Sequence, residues 1–320
     1  MADPRSPLPI PFGWFAIGAS EDFAPGTVHT LRYFDTEFVL WRGADGRLRG
    51  LDPFCPHLGA HLGHGGEVVG NDLQCPFHHW TFEGQGIVTG IPYSPAIPPL
   101  LKRPCGRGWR IEEQYGVVYT WFHPDKVAPL WELATSEELE SGEWERIDGR
   151  QWRIGVHAQE ITENGIDYAH FRAVHGTKST PEPTWEIKGY QRNSRVTTKM
   201  ETPRGLVDGT IVVRNTGPGQ SYIRFHGISE LLVVNLPTPI DCGATLLREE
   251  FYVPKSLEGS PRRAAMGVAR NIMFQVDQDM PIWENKRFEP RPILVRGDGP
   301  ILDYRKQYAQ YYARPLEAEG

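Results

Sequence analysis

Two short stretches decide how this chain is read: Phe54-Cys55-Pro56-His57-Leu58-Gly59-Ala60 and Gln74-Cys75-Pro76-Phe77-His78-His79-Trp80. Each carries one cysteine and one histidine, as Cys-x-His and Cys-x-x-His. Seventeen residues separate His57 from Cys75. Two thiolates and two imidazoles could hold zinc. They also suit a 2Fe–2S centre in which two histidines replace two cysteines on one iron. Zinc fingers with these ligands usually put both cysteines in one knuckle and both histidines on a helix, whereas here the types alternate. Gly59, Gly63, Gly65 and Gly66 allow close loop approach, Pro56 and Pro76 stiffen both loops, and Trp80 and Phe82 can shield a cluster. These features favour the cluster, with neutral imidazoles removing negative charge from one iron and raising its potential. His61, His64 and His79 read as packing or surface residues.

The surroundings fit a small β-scaffold. The chain has 320 residues, 34 of them Gly and 28 Pro, so turns and β-structure are expected in quantity. Hydrophobic residues make up 39%, a globular value that excludes intrinsic disorder. The net charge is −6 with no long basic run, which argues against a nucleic-acid or anionic-membrane surface. No apolar run is long enough for a membrane helix, and the N-terminus lacks the apolar core of a signal peptide. A cytoplasmic location is expected. Four cysteines (Cys55, Cys75, Cys105, Cys242) are too few for a disulfide framework in a chain this long.

Strands are expected at 12–18, 27–34, 37–42, 109–112 and 116–122, with a hairpin turn at Ala44-Asp45-Gly46 and a linker at 123–130. A short helix is expected at 136–145, capped by Ser136, then a strand at 152–161. A helix interrupted at Gly165 follows over about 160–172. Residues 185–253 alternate as an antiparallel sheet, turning at Pro203-Arg204-Gly205, Gly217-Pro218-Gly219 and Asp241-Cys242-Gly243. A long helix over 260–285 broken at Pro281 and a last helix over 303–312 complete the reading. The order is a small all-β domain, 1–125, then an α+β domain, 126–320.

A second constellation lies in Glu163-Asn164-Gly165-Ile166-Asp167-Tyr168-Ala169-His170-Phe171-Arg172-Ala173-Val174-His175. Asp167 and His170 share a helix face. His170 and His175 lie ~140° apart on an ideal helix, so the helix must distort or end between them, with Gly176 placed as terminator. Two imidazoles and a carboxylate make the facial triad of non-haem Fe(II) oxygenases. A bare His-x-x-x-x-His more often marks buried, hydrogen-bonded histidines. The cluster upstream and Asp167 at this spacing turn the reading toward iron.

The two Cys/His stretches resemble the Rieske domain of the Rieske non-haem iron oxygenases. A second Rieske class, in respiratory complexes, joins its loops by a disulfide at the positions of Ala60 and Phe77, and neither is cysteine here. His79 departs from the Gly, Asn or Asp frequent at its position. The resemblance implies an N-terminal Rieske 2Fe–2S domain held by Cys55, His57, Cys75 and His78. It further implies a catalytic domain of helix-grip, START-like build, with mononuclear Fe(II) at His170, His175 and a carboxylate on a late helix. Asp279-Met280-Pro281-Ile282-Trp283-Glu284 fits that last pattern, so Asp279 is preferred to its neighbour Asp277. The resemblance gives Asp167 another role. It would bond His170 and, across a subunit interface, His78 of the partner subunit, which implies a homotrimer with electron transfer between subunits. Glu163 and Asn164 resemble the family's surrounding residues.

No Gly-x-Gly-x-x-Gly lies between a strand and a helix, so flavin and NAD(P)H are expected on a separate reductase, with or without a ferredoxin between. Phe12-Gly13-Trp14, Gly90-Ile91-Pro92-Tyr93, Ile282-Trp283-Glu284-Asn285-Lys286 and Asp298-Gly299-Pro300-Ile301 look like the steroid branch of ketosteroid 9α-hydroxylases and cholesterol 7-desaturases. Hydroxylation of a hydrophobic, steroid-like polycycle is therefore expected. Alternatives are sterol desaturation, or hydroxylation or O-demethylation of an aromatic acid. The last would call for an arginine such as Arg214, Arg224 or Arg248 in the pocket. A non-enzymatic electron carrier is the remaining alternative, and His170, His175 and Asp279 together argue against it.

Overall fold

The computed structural model describes residues 5–177, 183–202, 205–227 and 229–314; the side chains of 198–202, 206 and 207 lie outside the description. The chain forms two compact units, 16–121 and 1–15 with 122–320.

The first unit is all β. Strands β1 (Gly13–Ala19), β2 (Val28–Tyr33), β3 (Thr36–Arg42), β4 (Leu48–Leu51), β5 (Glu67–Val69), β6 (Asp72–Gln74), β7 (Thr81–Phe82), β8 (Val88–Gly90), β9 (Gly108–Trp109), β10 (Ile111–Gln114) and β11 (Val117–Phe122) make three small sheets. Their orders are β1-β11-β10, β2-β3-β4-β9 and β5-β6-β7-β8. The two Cys/His loops leave β4 and β6. Val39, Trp41, Leu62, Leu73, Trp80 and Phe82 pack around both cysteines.

The second unit is built on seven antiparallel strands: β12 (Trp144–Ile154), β13 (Thr184–Lys188), β14 (Gln191–Thr202), β15 (Gly205–Thr216), β16 (Gln220–His226), β17 (Leu231–Pro239) and β18 (Thr245–Pro254), ordered β12-β18-β17-β16-β15-β14-β13. Helices α1 (Glu137–Glu140), α2 (Ala158–Asn164), α3 (Tyr168–Ala173), α4 (Gly259–Trp283) and α5 (Ile301–Tyr308) accompany them. One sheet face, with Trp152, Ile154, Ile223, Val233, Leu247 and Phe251, packs on the α4 stripe Ala265, Ala269, Met273 and Val276. The expected α+β class, an all-β Rieske-like unit followed by an antiparallel sheet with helices, matches this architecture.

Four boundaries differ from expectation. Helix α1 holds only four residues, because Gly142 turns left-handed (φ 70°) and Trp144 opens β12. The expected strand over 152–161 stops at Ile154. There His157 caps α2 instead, its Nδ1 accepting from Gln159 N at 3.1 Å. Helix α4 runs through Pro281 to Trp283. A proline this near the end removes one amide bond from the last turn, and buried Trp283 anchors that turn. The last helix covers 301–308 and tightens to a 3₁₀ turn over 309–311. Of the expected turn Pro203-Arg204-Gly205, the first two residues lie outside the described residues.

Candidate metal centres

The two Cys/His loops share one backbone design. In the first, Cys55 N donates to Ala60 O (2.8 Å) and Gly59 N to Cys55 O (2.9 Å). In the second, Cys75 N donates to Trp80 O (2.8 Å) and His79 N to Cys75 O (3.1 Å). Gly59 sits at φ 75° and His79 at φ 58°, so His79 occupies the left-handed position that its counterpart fills with glycine. That conformation explains why Gly, Asn or Asp suits the site. Gly66 is needed for close approach: a Cβ there would meet Leu62 O at 2.1 Å.

These turns bring the four predicted residues together as pairs. Cys55 and Cys75 are buried, and their thiols lie against each other. Burial pushes the Cys55 thiol up to about 11, against the opposing pull of the His57 and Leu58 amides that donate to it. The His57 and His78 rings lie 4.7 Å apart. The Nδ1 of His57 is buried without a hydrogen-bond partner. Two desolvated thiols and an orphaned imidazole nitrogen are what a 2Fe–2S cluster requires, so the residues fit the group. Trp80 stacks on His57 (4.5 Å, 8°) and donates from Nε1 to Tyr93 OH at 2.7 Å. His61 accepts from Gly63 N through Nδ1 (3.0 Å) and its ring lies 4.4 Å from that of His64, as expected of packing residues.

The second centre gathers on α2, α3 and α4. Helix α2 ends at Asn164, and Asp167 caps α3, its Oδ1 accepting from His170 N at 3.2 Å. The helix then ends before His175, and Gly176 turns left-handed (φ 68°). His170, His175 and Asp279 each offer a ligand atom, all within 4.8 Å of one another. Asp279 lies in register with the buried stripe of α4. Asp277, two residues earlier, points elsewhere: Arg150 binds it at 2.7 and 2.8 Å and Trp152 Nε1 at 2.9 Å.

The ring nitrogens are already oriented. His170 Nδ1 donates to the backbone carbonyl of Asp167, and His175 Nδ1 to Gln278 Oε1 at 3.1 Å. Each Nε2 is left as a lone pair on the side of Asp279, with His175 Nε2 3.4 Å from Asp279 Oδ2. Burial lowers the pKa of His170, favouring the neutral ring, and raises that of Asp279 against the pull of the two histidines. A buried carboxylate with two imidazole nitrogens turned toward it fits a divalent iron. Asn164 Nδ2 touches both Asp279 Oδ2 (2.9 Å) and His170 Nε2 (3.1 Å). Glu163 is held by Arg305 through two bonds of 2.7 Å.

The contact of Asp167 with the His170 ring therefore comes from its backbone, while its carboxylate caps the helix. Sequence reasoning missed Gln278, whose only signal was its place next to Asp279.

Comparison with known proteins gives the same two-part picture. A family model described as the Rieske [2Fe-2S] domain matches residues 13–101, and one described as the 3-ketosteroid 9alpha-hydroxylase C-terminal domain matches 120–312. The chain belongs to the ketosteroid 9α-hydroxylase family of Rieske oxygenases. A Rhodococcus rhodochrous protein described as a probable 3-ketosteroid-9-alpha-monooxygenase, oxygenase component, is 30% identical over 94% of this oxygenase and 79% of its own length. A cholesterol 7-desaturase of Xenopus laevis is 28% identical over 95% and 72%. Among solved structures, Pseudomonas putida CBB5 NdmA with caffeine superposes with a TM-score of 0.74 at 18% identity, covering 96% of both chains. Dicamba monooxygenase bound to dicamba gives 0.73 at 17%, covering 93% and 96%. At these identities the structural likeness shows the oxygenase's fold. No helix among the described residues is long and apolar enough to cross a membrane.

Proposed function

We propose that this oxygenase is the terminal component of a system that hydroxylates a steroid-like polycycle. The convergence of His170, His175 and Asp279 in a chain with a Rieske domain carries the reading. In it, residues 1–125 serve electron transfer and 126–320 catalysis. Cys55, His57, Cys75 and His78 hold the cluster, and His170, His175 and Asp279 hold mononuclear iron. Bound there, the two groups supply single electrons and an open site for dioxygen.

The chain's own residues set the conditions. Asp167 and Gln278 fix both imidazoles with Nε2 toward Asp279. The relatives named for a ketosteroid and for cholesterol support a hydrophobic, steroid-like substrate. Arg214, Arg224 and Arg248 do not serve an aromatic acid: they occupy the other sheet face and pair with Glu138, Glu230 and Glu250. Around the cluster loops, Leu58, Phe77 and Tyr93 are exposed apolar residues next to His57 and His78. That rim supports docking of the cluster loops on a second subunit, where Asp167 would reach His78 of the partner subunit in a homotrimer. Electrons would come from a separate NAD(P)H-dependent flavin reductase, with or without a ferredoxin, in the cytoplasm.

Sterol desaturation is the second reading, favoured by the desaturase relatives at similar identity. Turnover with a reductase and a panel of 3-ketosteroids, sterols and aromatic acids decides, read by product mass. A steroid gaining one oxygen atom supports hydroxylation, and one losing two hydrogens supports desaturation. Reaction of aromatic acids alone would overturn the steroid assignment.

A further inference from the structure

Arg192 lies on β14, on the sheet face that α4 and α5 cover, and is only 8% exposed. Among the described residues its Nη1 has no hydrogen-bond partner. The aromatic faces of Tyr304 (4.5 Å) and Trp185 (5.2 Å) support its charge. Its strongest electrostatic neighbours are tyrosines rather than a carboxylate. Glu163, across α2, is already held by Arg305. A buried guanidinium in this state is costly, because ring faces cannot accept all its N–H bonds.

Arg192 lines a cavity of about 20 Å³ together with Thr162, Asn215, Gln220, Tyr304 and Tyr308, and among the described residues no acidic one lines it. The volume exceeds the roughly 10–15 Å³ that one water-sized particle needs. Gln220 has its Oε1 engaged by Ala134 N at 3.1 Å, while its Nε2 is buried and unpartnered. The Tyr308 hydroxyl also has no well-formed hydrogen bond. Two orphaned N–H donors and a hydroxyl therefore share one small space with an uncompensated positive charge. A water there would bring two protons of its own and no charge. A monatomic anion accepts from all three groups and neutralises Arg192.

We propose that this cavity binds a halide-sized monovalent anion, chloride in ordinary buffers, through Arg192 and Gln220. The ion would tie α2 and α5 to the sheet, and α2 carries Asn164 beside the iron ligands.

Two measurements on the full, metal-loaded protein test this. Crystals grown with bromide in place of chloride should show an anomalous peak in the cavity. In solution, replacing gluconate by millimolar chloride or bromide at constant ionic strength should raise Tm saturably, by about 5 °C. Arg192→Gln should abolish that rise, and Gln220→Leu should weaken it if the first variant does not fold. A Tm indifferent to halide, or a cavity without anomalous signal, would overturn the proposal. So would a Tm that responds to formate and acetate but not to halides, because the site would then be a carboxylate pocket.

Discussion

A carboxylate on the buried stripe of a helix is costly unless a cation joins it, and this cost marks Asp279. Two neighbouring residues set the site's chemistry. Gln278 orients His175, so Gln278→Leu should lower iron retention about 10–100-fold while leaving cluster absorbance unchanged. Iron content after dialysis measures it. Asp167 acts twice, through its carbonyl on His170 and its carboxylate at the cap of α3. Asparagine preserves both contacts, because it caps as well as aspartate. Asp167→Asn should therefore keep both metals and lose most coupled turnover; turnover equal to the parent would remove the carboxylate from the electron path. Farther away, Glu249 is buried, with Oε1 bonded by Asn235 and Oε2 unpartnered. Burial pushes it up to about 7. The folded state then binds the extra proton between its unfolded value of about 4.5 and 7, so stability is lost as pH rises across that window. Glu249→Gln should be more stable than the parent at pH 8, on the order of 3 kcal/mol, and equal to it near pH 4 in denaturant titrations.

At the scale of elements, the two cluster loops test how backbone conformation serves a metal. Gly59 has open space around its missing Cβ, so Gly59→Ala should cost only the left-handed strain, roughly 1–2 kcal/mol, with the cluster retained. Gly66→Ala drives a Cβ into Leu62 O and should lose the cluster itself. Visible absorbance per chain and Tm separate the two outcomes. These loops were legible in the sequence because their Cys/His pairs sit close along the chain, and glycine and proline mark their turns. The Gly165 break between α2 and α3 was legible for the same reason. The start of α2 was not. Trp152-Arg153-Ile154 alternates like a strand, and histidine is an unusual cap, so nothing local announced His157. Pro281 misled in the other direction, because packing of Trp283 outweighs one lost amide bond.

For the whole molecule, the spacing of the Cys/His pairs pointed to the first centre, while the second needed the family resemblance to add Asp279 to His170 and His175; the matched families follow the same order along the chain. What the sequence could not show depends on neighbours far apart in it: Gln278 on His175, Arg150 claiming Asp277, and Arg192 in its cavity. The central claim is that electrons stored at the Cys/His loops are spent on substrate at the His/His/Asp site. One measurement tests it most directly. The metal-replete protein is reduced without any reductase, then mixed with a 3-ketosteroid and isotopically labelled dioxygen for a single turnover. The account predicts that the cluster oxidises as one labelled oxygen atom appears in the steroid, and that His175→Ala with its cluster intact yields no product. A cluster that oxidises at the same rate without labelled product, with both sites filled, would contradict it.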